Sequence, residues 1–128
     1  MSALKFEYSS AYDPPAPIIK LKVANPNTEA TTDDDFLVDS GADITLLKKE
    51  IFEILDLHYS GSMHISGVLG VPEELPVSWI QVATPLGTNE FIKVAITPVN
   101  DENILGRDVI NRWRLLLDGP QEQLSFPT

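Results

Sequence analysis

The sequence predicts a mostly-β protein with a single domain, on three observations. Gly and Pro recur along all 128 residues and divide the chain into short segments. Between them lie short runs of β-branched and other apolar residues, which are typical of strands, at 18–23, 36–38, 77–83, 90–96 and 115–118. No apolar pattern with helical spacing is long, so helices contribute little. A chain of this length fits one domain around one core.

Two short helices and a C-terminal hairpin complete this expectation. Residues 48–57 carry apolar side chains at near-helical spacing, which predicts a first helix. A second helix is expected at 109–113, with Asp108 as its N-cap, because Asp often caps helices. Residues 115–126 form strand, turn and strand around Asp118-Gly119, a strong hairpin signal.

The domain is expected to span 1–128 with three parts. Residues 1–16 form an N-terminal arm that is Pro-rich, and it is expected either to be loosely ordered or to join the C-terminal sheet. Residues 17–114 form the core, and residues 115–128 form the C-terminal hairpin. The polar segment 25–35 is interpreted as a loop between two strands.

Composition excludes several kinds of site and partner. The chain has no Cys, so disulfides, thiolate metal sites and cysteine nucleophiles are excluded. Its net charge of −10 argues against nucleic-acid binding, which relies on clustered Lys and Arg. No apolar segment approaches the roughly 18 residues that span a membrane, and the first residues lack the apolar stretch of a signal peptide. These observations predict a cytoplasmic protein without nucleic-acid or membrane partners.

The run Asp33-Asp34-Asp35 raises the possibility of a calcium-binding β domain. Calcium loops also need a Gly turn and a distal Glu in register, which this segment lacks, and Asp runs are more often solvated. We therefore expect no metal site.

The segment 36–43 carries the first chemical signal. Three apolar residues run directly into Asp39, which is followed by Ser40, Gly41 and Ala42. A carboxylate at the end of a buried strand is costly unless it is used or satisfied, and the small residues around it leave it facing a cleft. An ordinary Asp-Ser-Gly turn is the alternative, and the tripeptide alone favours that alternative.

A second segment changes this balance. Residues 103–108 again run from apolar Ile104 and Leu105 into Gly106, then Arg107. Together the two motifs resemble those of the retropepsins, the retroviral aspartic proteases and their cellular and bacterial relatives. The resemblance covers most of residues 17–117 and implies a retropepsin-like acid protease fold, a closed β-barrel-like domain that is homodimeric.

The resemblance implies that the chain is an aspartic endopeptidase with Asp39 as its catalytic residue. Only one such motif occurs, so the two carboxylates of the catalytic pair must come from two copies related by a two-fold axis. The pair activates water and needs no metal, cofactor or covalent intermediate. The expected partners are a second copy and a peptide or protein substrate.

Further roles follow from matching positions in that family. Asp43 and Arg107 are expected to form an ion pair near the dimer contact. Ser40, Gly41 and Ala42 form the active-site loop, with Gly41 also contacting the substrate backbone, and Ile104 and Leu105 are expected in the cleft wall. A mobile flap that covers the substrate is predicted to comprise Ile65, Ser66, Gly67, Val68, Leu69 and Gly70.

Other interpretations remain open on sequence alone. A catalytically silent dimerisation or peptide-binding module of the same fold is the main alternative, because fold does not prove activity. His58 and His64 lack a nearby nucleophile and are interpreted as structural. Trp79 and Trp113 are interpreted as packing residues of the core or of an interface rather than as ligand-stacking residues. The hairpins of two copies are expected to meet in one antiparallel sheet, with Leu124 and Phe126 adding apolar contact.

Overall fold

The structure, a computed structural model, describes residues 4–66, 72–97 and 102–127. The elements of these residues, in chain order, are β1 (Leu4–Glu7), β2 (Ile18–Ala24), β3 (Thr31–Val38), β4 (Leu46–Leu47), α1 (Lys49–Ile54), β5 (Ser62–Ser66), β6 (Pro72–Ala83), β7 (Asn89–Ile96), β8 (Asn103–Leu105), α2 (Arg107–Ile110), β9 (Leu116–Asp118) and β10 (Gln123–Phe126). The prediction of a mostly-β fold with two short helices is confirmed.

Six strands close into a barrel in the order β2-β3-β8-β4-β7-β6, because β6 also pairs with β2. Two of these pairings are parallel, β3 with β8 and β4 with β7, and the others are antiparallel. β5 extends the sheet beyond β6 as a hairpin. Closure removes the free strand edges that an open sheet would expose, and it confirms the predicted barrel.

The barrel interior is filled by alternate residues of its strands. In β2, Ile19, Leu21 and Val23 are buried while the lysines between them are exposed, the alternation that a half-buried strand requires. Phe36 and Ile80 are among the largest fully buried side chains of this core. At roughly 25 cal/mol per Å² of buried apolar surface, this layer is the main source of stability.

β3 is longer than its sequence suggests. Residues 25–35 were expected to form a loop, but the strand begins at Thr31 and pairs with β2 along its whole length. Strand side chains alternate between two faces, so Asp33 and Asp35 are exposed while Asp34 points to the other face, where it contacts Lys48. The acidic run is therefore part of the barrel, and its three carboxylates do not converge.

The N-terminal arm joins the C-terminal hairpin in a second sheet of order β1-β10-β9. The central strand of this sheet, β10, is paired on both sides. Leu124 and Phe126 are buried in the core of their own chain, at 0% and 3% exposure. The expectation that they contact a second copy is therefore wrong, because β1 and the barrel already cover them. In β9, by contrast, Leu116 and Leu117 are exposed.

The rest of the arm is tied to the segment before β8. The hydroxyl of Tyr12 donates a hydrogen bond to the carboxylate of Glu102. This bond, partial burial, and the charges of Glu102 and Asp35 raise the pKa of Tyr12 to about 12. Ser9 and Ala16 close the loop between them by paired backbone hydrogen bonds. The arm is therefore part of the folded domain.

Both helices differ in extent from their predictions. α1 ends at Ile54, earlier than 57, because Asp56 adopts a positive φ and the buried Asn25 donates hydrogen bonds to the carbonyls of Leu55 and Asp56. The second helix is also present, but α2 runs from Arg107 to Ile110 with Gly106 at the N-cap, so the predicted bounds 109–113 and the predicted cap Asp108 are wrong. Within the described residues, no helix is long and apolar enough to cross a membrane.

A buried polar cluster joins the start of β8 to the start of α1. Asn103 is fully buried, and its amide donates to the Asp34 carboxylate at 2.8 Å while its oxygen accepts from the Lys48 backbone N–H. Lys48 also forms a salt bridge with Asp34 at 2.8 Å. Burial alone would raise the pKa of the Asp34 carboxyl, but the hydrogen bonds from Lys48, Asp35 and Asn103, with the Lys48 charge, lower it overall.

Asp34→Asn should reduce the free energy of unfolding at pH 7, and the difference from wild type should disappear in acid. A carboxyl whose pKa is lowered on folding stabilises the protein above its ordinary pKa of 3.8. That stabilisation is lost as the pH falls through the lowered value, because the folded protein then takes up the proton. Urea unfolding of both proteins between neutral and acidic pH measures the difference.

The exposed Asp33, one residue away on β3, offers the matched control. Asp33→Asn removes the same charge without touching the cluster, so its effect should be much smaller. An equal effect of the two substitutions at pH 7 would contradict the role of the cluster.

Gly106 lies where β8 meets the chain that leaves the first predicted motif. A Cβ at this position would stand 2.6 Å from the carbonyl carbon of Ile44 and 2.7 Å from its oxygen. Backbone atoms cannot move aside as a flexible side chain can, so any other residue must push the two segments apart. Glycine is therefore required here by close backbone approach rather than by an unusual φ.

Gly106→Ala should destabilise the protein by about 1–3 kcal/mol or more, the usual cost of overpacking. Gly119→Ala is the matched control, because a Cβ there meets nothing within 4 Å. Chemical unfolding of both variants tests this. If both alanines were equally well tolerated, the close approach would not be a constraint.

Candidate active site

Asp39 is the first residue after β3, at the point where β3 and β8 end together. In their parallel register Leu37 is opposite Ile104 and Val38 is opposite Leu105. The Asp39 N–H then donates to the Leu105 carbonyl at 3.0 Å. Asp39 is half-buried, so its carboxylate sits between the apolar core and solvent. The strand pairing therefore fixes the position of this acid.

The residues after Asp39 form a tight turn around its carboxylate. The Gly41 N–H donates to Asp39 Oδ1 at 2.8 Å, and the Ala42 N–H donates to the Asp39 carbonyl at 3.1 Å. A Cβ at Gly41 would lie 3.1 Å from Asp39 Oδ1, tighter than most real contacts. Glycine thus lets the backbone approach and hold one carboxylate oxygen. This hydrogen bond orients the acid.

Arg107 connects the second motif to the first by three hydrogen bonds. Its backbone N–H donates to the Ala42 carbonyl at 2.8 Å, its Nη1 donates to the Ser40 carbonyl at 2.6 Å, and its Nη2 pairs with Asp43. The expected ion pair is present, but in the single chain the Asp43 side chain is 85% exposed. Exposed ion pairs contribute little to stability. Arg107 thus acts mainly by holding the loop backbone, with its guanidinium on the Ser40 carbonyl and its backbone N–H on the Ala42 carbonyl.

Thr45 and Asp108 also join the two motifs, a contact that was not predicted from the sequence. Thr45 is fully buried, and its hydroxyl donates to Asp108 Oδ1 at 2.8 Å and accepts from the Gly106 N–H at 3.0 Å. The Thr45 N–H donates to Asp108 Oδ2 at 3.2 Å. The sequence predicts Asp108 as a helix cap. The only sequence signal for a role of Asp108 at this site is its position next to Arg107. Its carboxylate instead supports the chain that follows the loop.

A groove of about 760 Å³ begins at this loop and runs along the outer face of β6 and β7. Its walls are Gly41, Ala42, Asp43, Ile44, Leu46, Met63, His64, Ile65, Trp79, Phe91, Ile92, Lys93, Asp108 and Arg112. Asp39 lies beside the loop end of the groove rather than in its wall. The groove is open to solvent along its length.

Two exposed aromatic rings line the part of the groove that β6 and β7 form. Trp79 and Phe91 stack with centroids 5.5 Å apart and 28° between their planes, and they are 40% and 53% exposed. Of the two packing roles predicted for Trp79, in the core or at an interface, the core role is wrong, because β6 turns the ring outward. Trp113 does pack as expected, edge-on against Phe126 at 5.3 Å.

The predicted flap and cleft wall are placed only in part. β5 and β6 form a hairpin whose last pair is Ser66 with Pro72, and Ile65 lines the groove. Gly67, Val68, Leu69 and Gly70 lie outside the described residues. Ile104 is half-buried on the face of β8 opposite its neighbours. Leu105 is not in the cleft wall as expected, because its side chain is fully buried in the core.

Comparison with known proteins agrees with this geometry. The family model described as retroviral aspartyl protease matches residues 14–118. No match was found among curated protein sequences. The fold is similar to that of EIAV protease in complex with the inhibitor HBY-793, with a TM-score of 0.63 and 20% sequence identity over 76% of this chain and 86% of that chain.

Two other structures show the same likeness. A retropepsin-like aspartic protease from Rickettsia conorii has a TM-score of 0.65 and 18% identity over 98% of this chain and 91% of that chain. The foamy viral protease-reverse transcriptase, with a TM-score of 0.55 and 18% identity, aligns over 76% of this chain but only 12% of its own. With its family model spanning both motifs and the barrel between them, the chain belongs to the retroviral aspartyl protease family.

Proposed function

We propose that this protein is an aspartic endopeptidase that works as a homodimer, with Asp39 of each copy forming the catalytic pair. The observation that carries the proposal is the setting of Asp39, a half-buried acid held by the Gly41 N–H beside an open groove. The sequence holds a single Asp-Ser-Gly motif, so one chain supplies one such acid. Membership of an aspartyl protease family supports the same chemistry.

In the proposed dimer, two Asp39 carboxylates face each other across the two-fold axis. Carboxylates about 3 Å apart cannot both ionise cheaply and share one proton, a behaviour for which aspartic proteases are the standard example. The ionised partner takes a proton from a water molecule, whose oxygen attacks the peptide carbonyl carbon. The protonated partner donates a hydrogen bond to the carbonyl oxygen. The tetrahedral intermediate then collapses, with proton transfer to the departing amine nitrogen.

The proposed substrate is an extended peptide lying in the groove between the Asp39 loop and the β5–β6 hairpin. The walls nearest the loop are largely apolar, with Ala42, Ile44 and Leu46 on one side and Ile65 on the other. Apolar pockets of this kind favour hydrophobic side chains near the cut bond. We propose that the hairpin acts as the flap.

The proposed dimer contact uses the free edge of β9. β10 already has partners on both sides, whereas β9 is an end strand of its sheet with two half-exposed leucines. An unpaired edge is a template for pairing with another chain, so two copies can continue the sheet antiparallel across the axis. The cytoplasmic location and the lack of nucleic-acid and membrane partners remain predictions from the sequence.

Asp39→Asn should abolish peptide cleavage, with a loss of at least roughly 10³-fold, because the amide cannot accept the proton of the attacking water. Digestion of a peptide library between about pH 4 and pH 7 with wild type and variant measures this. Asp33→Asn, which removes an exposed acid elsewhere, should cleave like wild type. Sedimentation should show the same assembly for all three proteins.

Two results would contradict the proposal. Cleavage that survives Asp39→Asn would mean that another group does the chemistry. Peptide binding without any cleavage by wild type, unchanged in Asp39→Asn, would instead favour the catalytically silent binding module.

The specific activity should fall as the protein is diluted below its dimer dissociation constant, because the proposed site exists only in the dimer. Leu116→Glu should move this fall to higher concentration, since it places a charge on the β9 edge that meets its own copy. Measuring initial rates over a dilution series, alongside sedimentation of both proteins, tests the prediction.

Leu86→Glu is the matched control, because Leu86 is 51% exposed against 50% for Leu116 but lies in the turn between β6 and β7. Its dilution curve should follow wild type. A specific activity that stays constant well below the dissociation constant would rule out the two-chain site.

A further inference from the structure

Five titratable side chains line the groove, and they differ in whether another group of the protein pairs with them. They are Asp43, His64, Lys93, Asp108 and Arg112. Both carboxylates already have partners within the protein, since Asp43 pairs with Arg107 and Asp108 accepts hydrogen bonds from Thr45. The negative charges of the groove are therefore engaged by the protein itself.

The two basic residues that line the groove, Lys93 and Arg112, differ in their ion-pair partners. Arg112 forms a salt bridge with Glu90 at 2.8 Å. Lys93 has no salt bridge among residues 4–66, 72–97 and 102–127, and its ammonium lies 5.5 Å from the centroid of the Trp79 ring. Lys93 thus presents to the groove a positive charge that forms no ion pair with the part of the chain that the structure describes.

The aromatic pair gives this cation a fixed setting. The Trp79 ring faces Lys93 and stacks on Phe91, so a cation–π contact holds the ammonium over a flat apolar surface. Both rings are exposed in spite of the free energy that their burial would release, and exposed aromatic surface next to a charge is typical of recognition sites. The arrangement suits a side chain with an apolar stem and an anionic end.

We infer that Lys93 and Trp79 form a subsite for an acidic side chain of the peptide substrate, at a position remote from the cut bond. One groove is lined both by Gly41 and Ala42 of the Asp39 loop and by Trp79 and Lys93, so a peptide bound along it can contact both regions. The carboxylate would pair with the Lys93 ammonium while its methylene groups pack on the Trp79 ring. This inference rests on the proposed function, because it assigns specificity to that same groove.

The test uses peptides of one cleavable sequence in which a single Glu, or a Gln in its place, moves one residue at a time away from the cut bond. Wild type should prefer Glu over Gln at one remote position by roughly tenfold in kcat/KM, as expected for a partly desolvated charge pair. Lys93→Met, which keeps the apolar stem, should reduce that ratio to near one. Lys93→Arg should retain it, and Lys93→Glu should turn the preference toward a Lys peptide.

Lys49→Met is the matched control, since it removes an exposed lysine of α1 outside the groove and should leave the Glu-to-Gln ratio unchanged. Calorimetric binding of the same peptides to Asp39→Asn protein separates recognition from cleavage. The binding preference for Glu should again depend on Lys93.

The outcomes separate the two proposals. If wild type cleaves but the Glu-to-Gln ratio does not depend on Lys93 at any position, the subsite is wrong and the protease function stands. If no peptide is cleaved but Glu peptides bind in a Lys93-dependent way, the subsite stands and the protease function is wrong. Neither cleavage nor Lys93-dependent binding would overturn both.

Discussion

The parallel pairing of β3 with β8 is the interaction on which the rest of the site depends. It joins segments about 65 residues apart in the chain and aligns Val38 with Leu105, so that both strands end at the same level. The Asp39 N–H then bonds to the Leu105 carbonyl, and Gly106 comes against the backbone of Ile44. A shift of register by one residue would turn Phe36 and Val38 out of the core. The buried face of the barrel therefore also fixes the acid.

Most of the hydrogen bonds that join the two loops leaving these strands involve a backbone group. Arg107 holds the carbonyls of Ser40 and Ala42, while the buried Thr45 holds the Gly106 N–H. Such bonds constrain the path of the chain rather than the choice of side chains. Buried polar groups that are fully satisfied in this way make a site rigid, and one unsatisfied partner would be costly. These bonds lie within one chain, and they hold the loop that carries the Asp39 carboxylate.

The two contacts proposed for the domain use different exposed regions of its surface. The edge of β9 is suited to meeting a second copy, because Leu124 and Phe126 of the same hairpin are already committed to the core. The outer face of β6 and β7 carries Trp79 and Lys93 and is suited to a bound peptide. The two regions lie on different sheets, so association and recognition need not compete for the same residues.

The sequence alone indicated the fold class, the family resemblance and Asp39 as the candidate acid, because the Gly and Pro residues between strands and the two short motifs are local signals. It also indicated the Asp43–Arg107 pair, which lies within those motifs. It could not place residues whose role depends on what folds against them. Thr45 contacts Asp108 only after β8 returns to β3, and Leu105 is buried only because the barrel closes over it.

The same reason explains the errors in strand length and in exposure. Residues 31–35 are polar enough to predict a loop, yet β2 supplies hydrogen-bond partners for their backbone, and Asn103 and Lys48 satisfy Asp34. The large, largely apolar side chain of Trp79 is typical of a packing residue. Whether an aromatic ring faces the core or solvent, however, depends on strand register and on which sheet face is covered. The local sequence shows which chemical groups the chain carries. Long-range strand pairing determines which of these side chains come into contact.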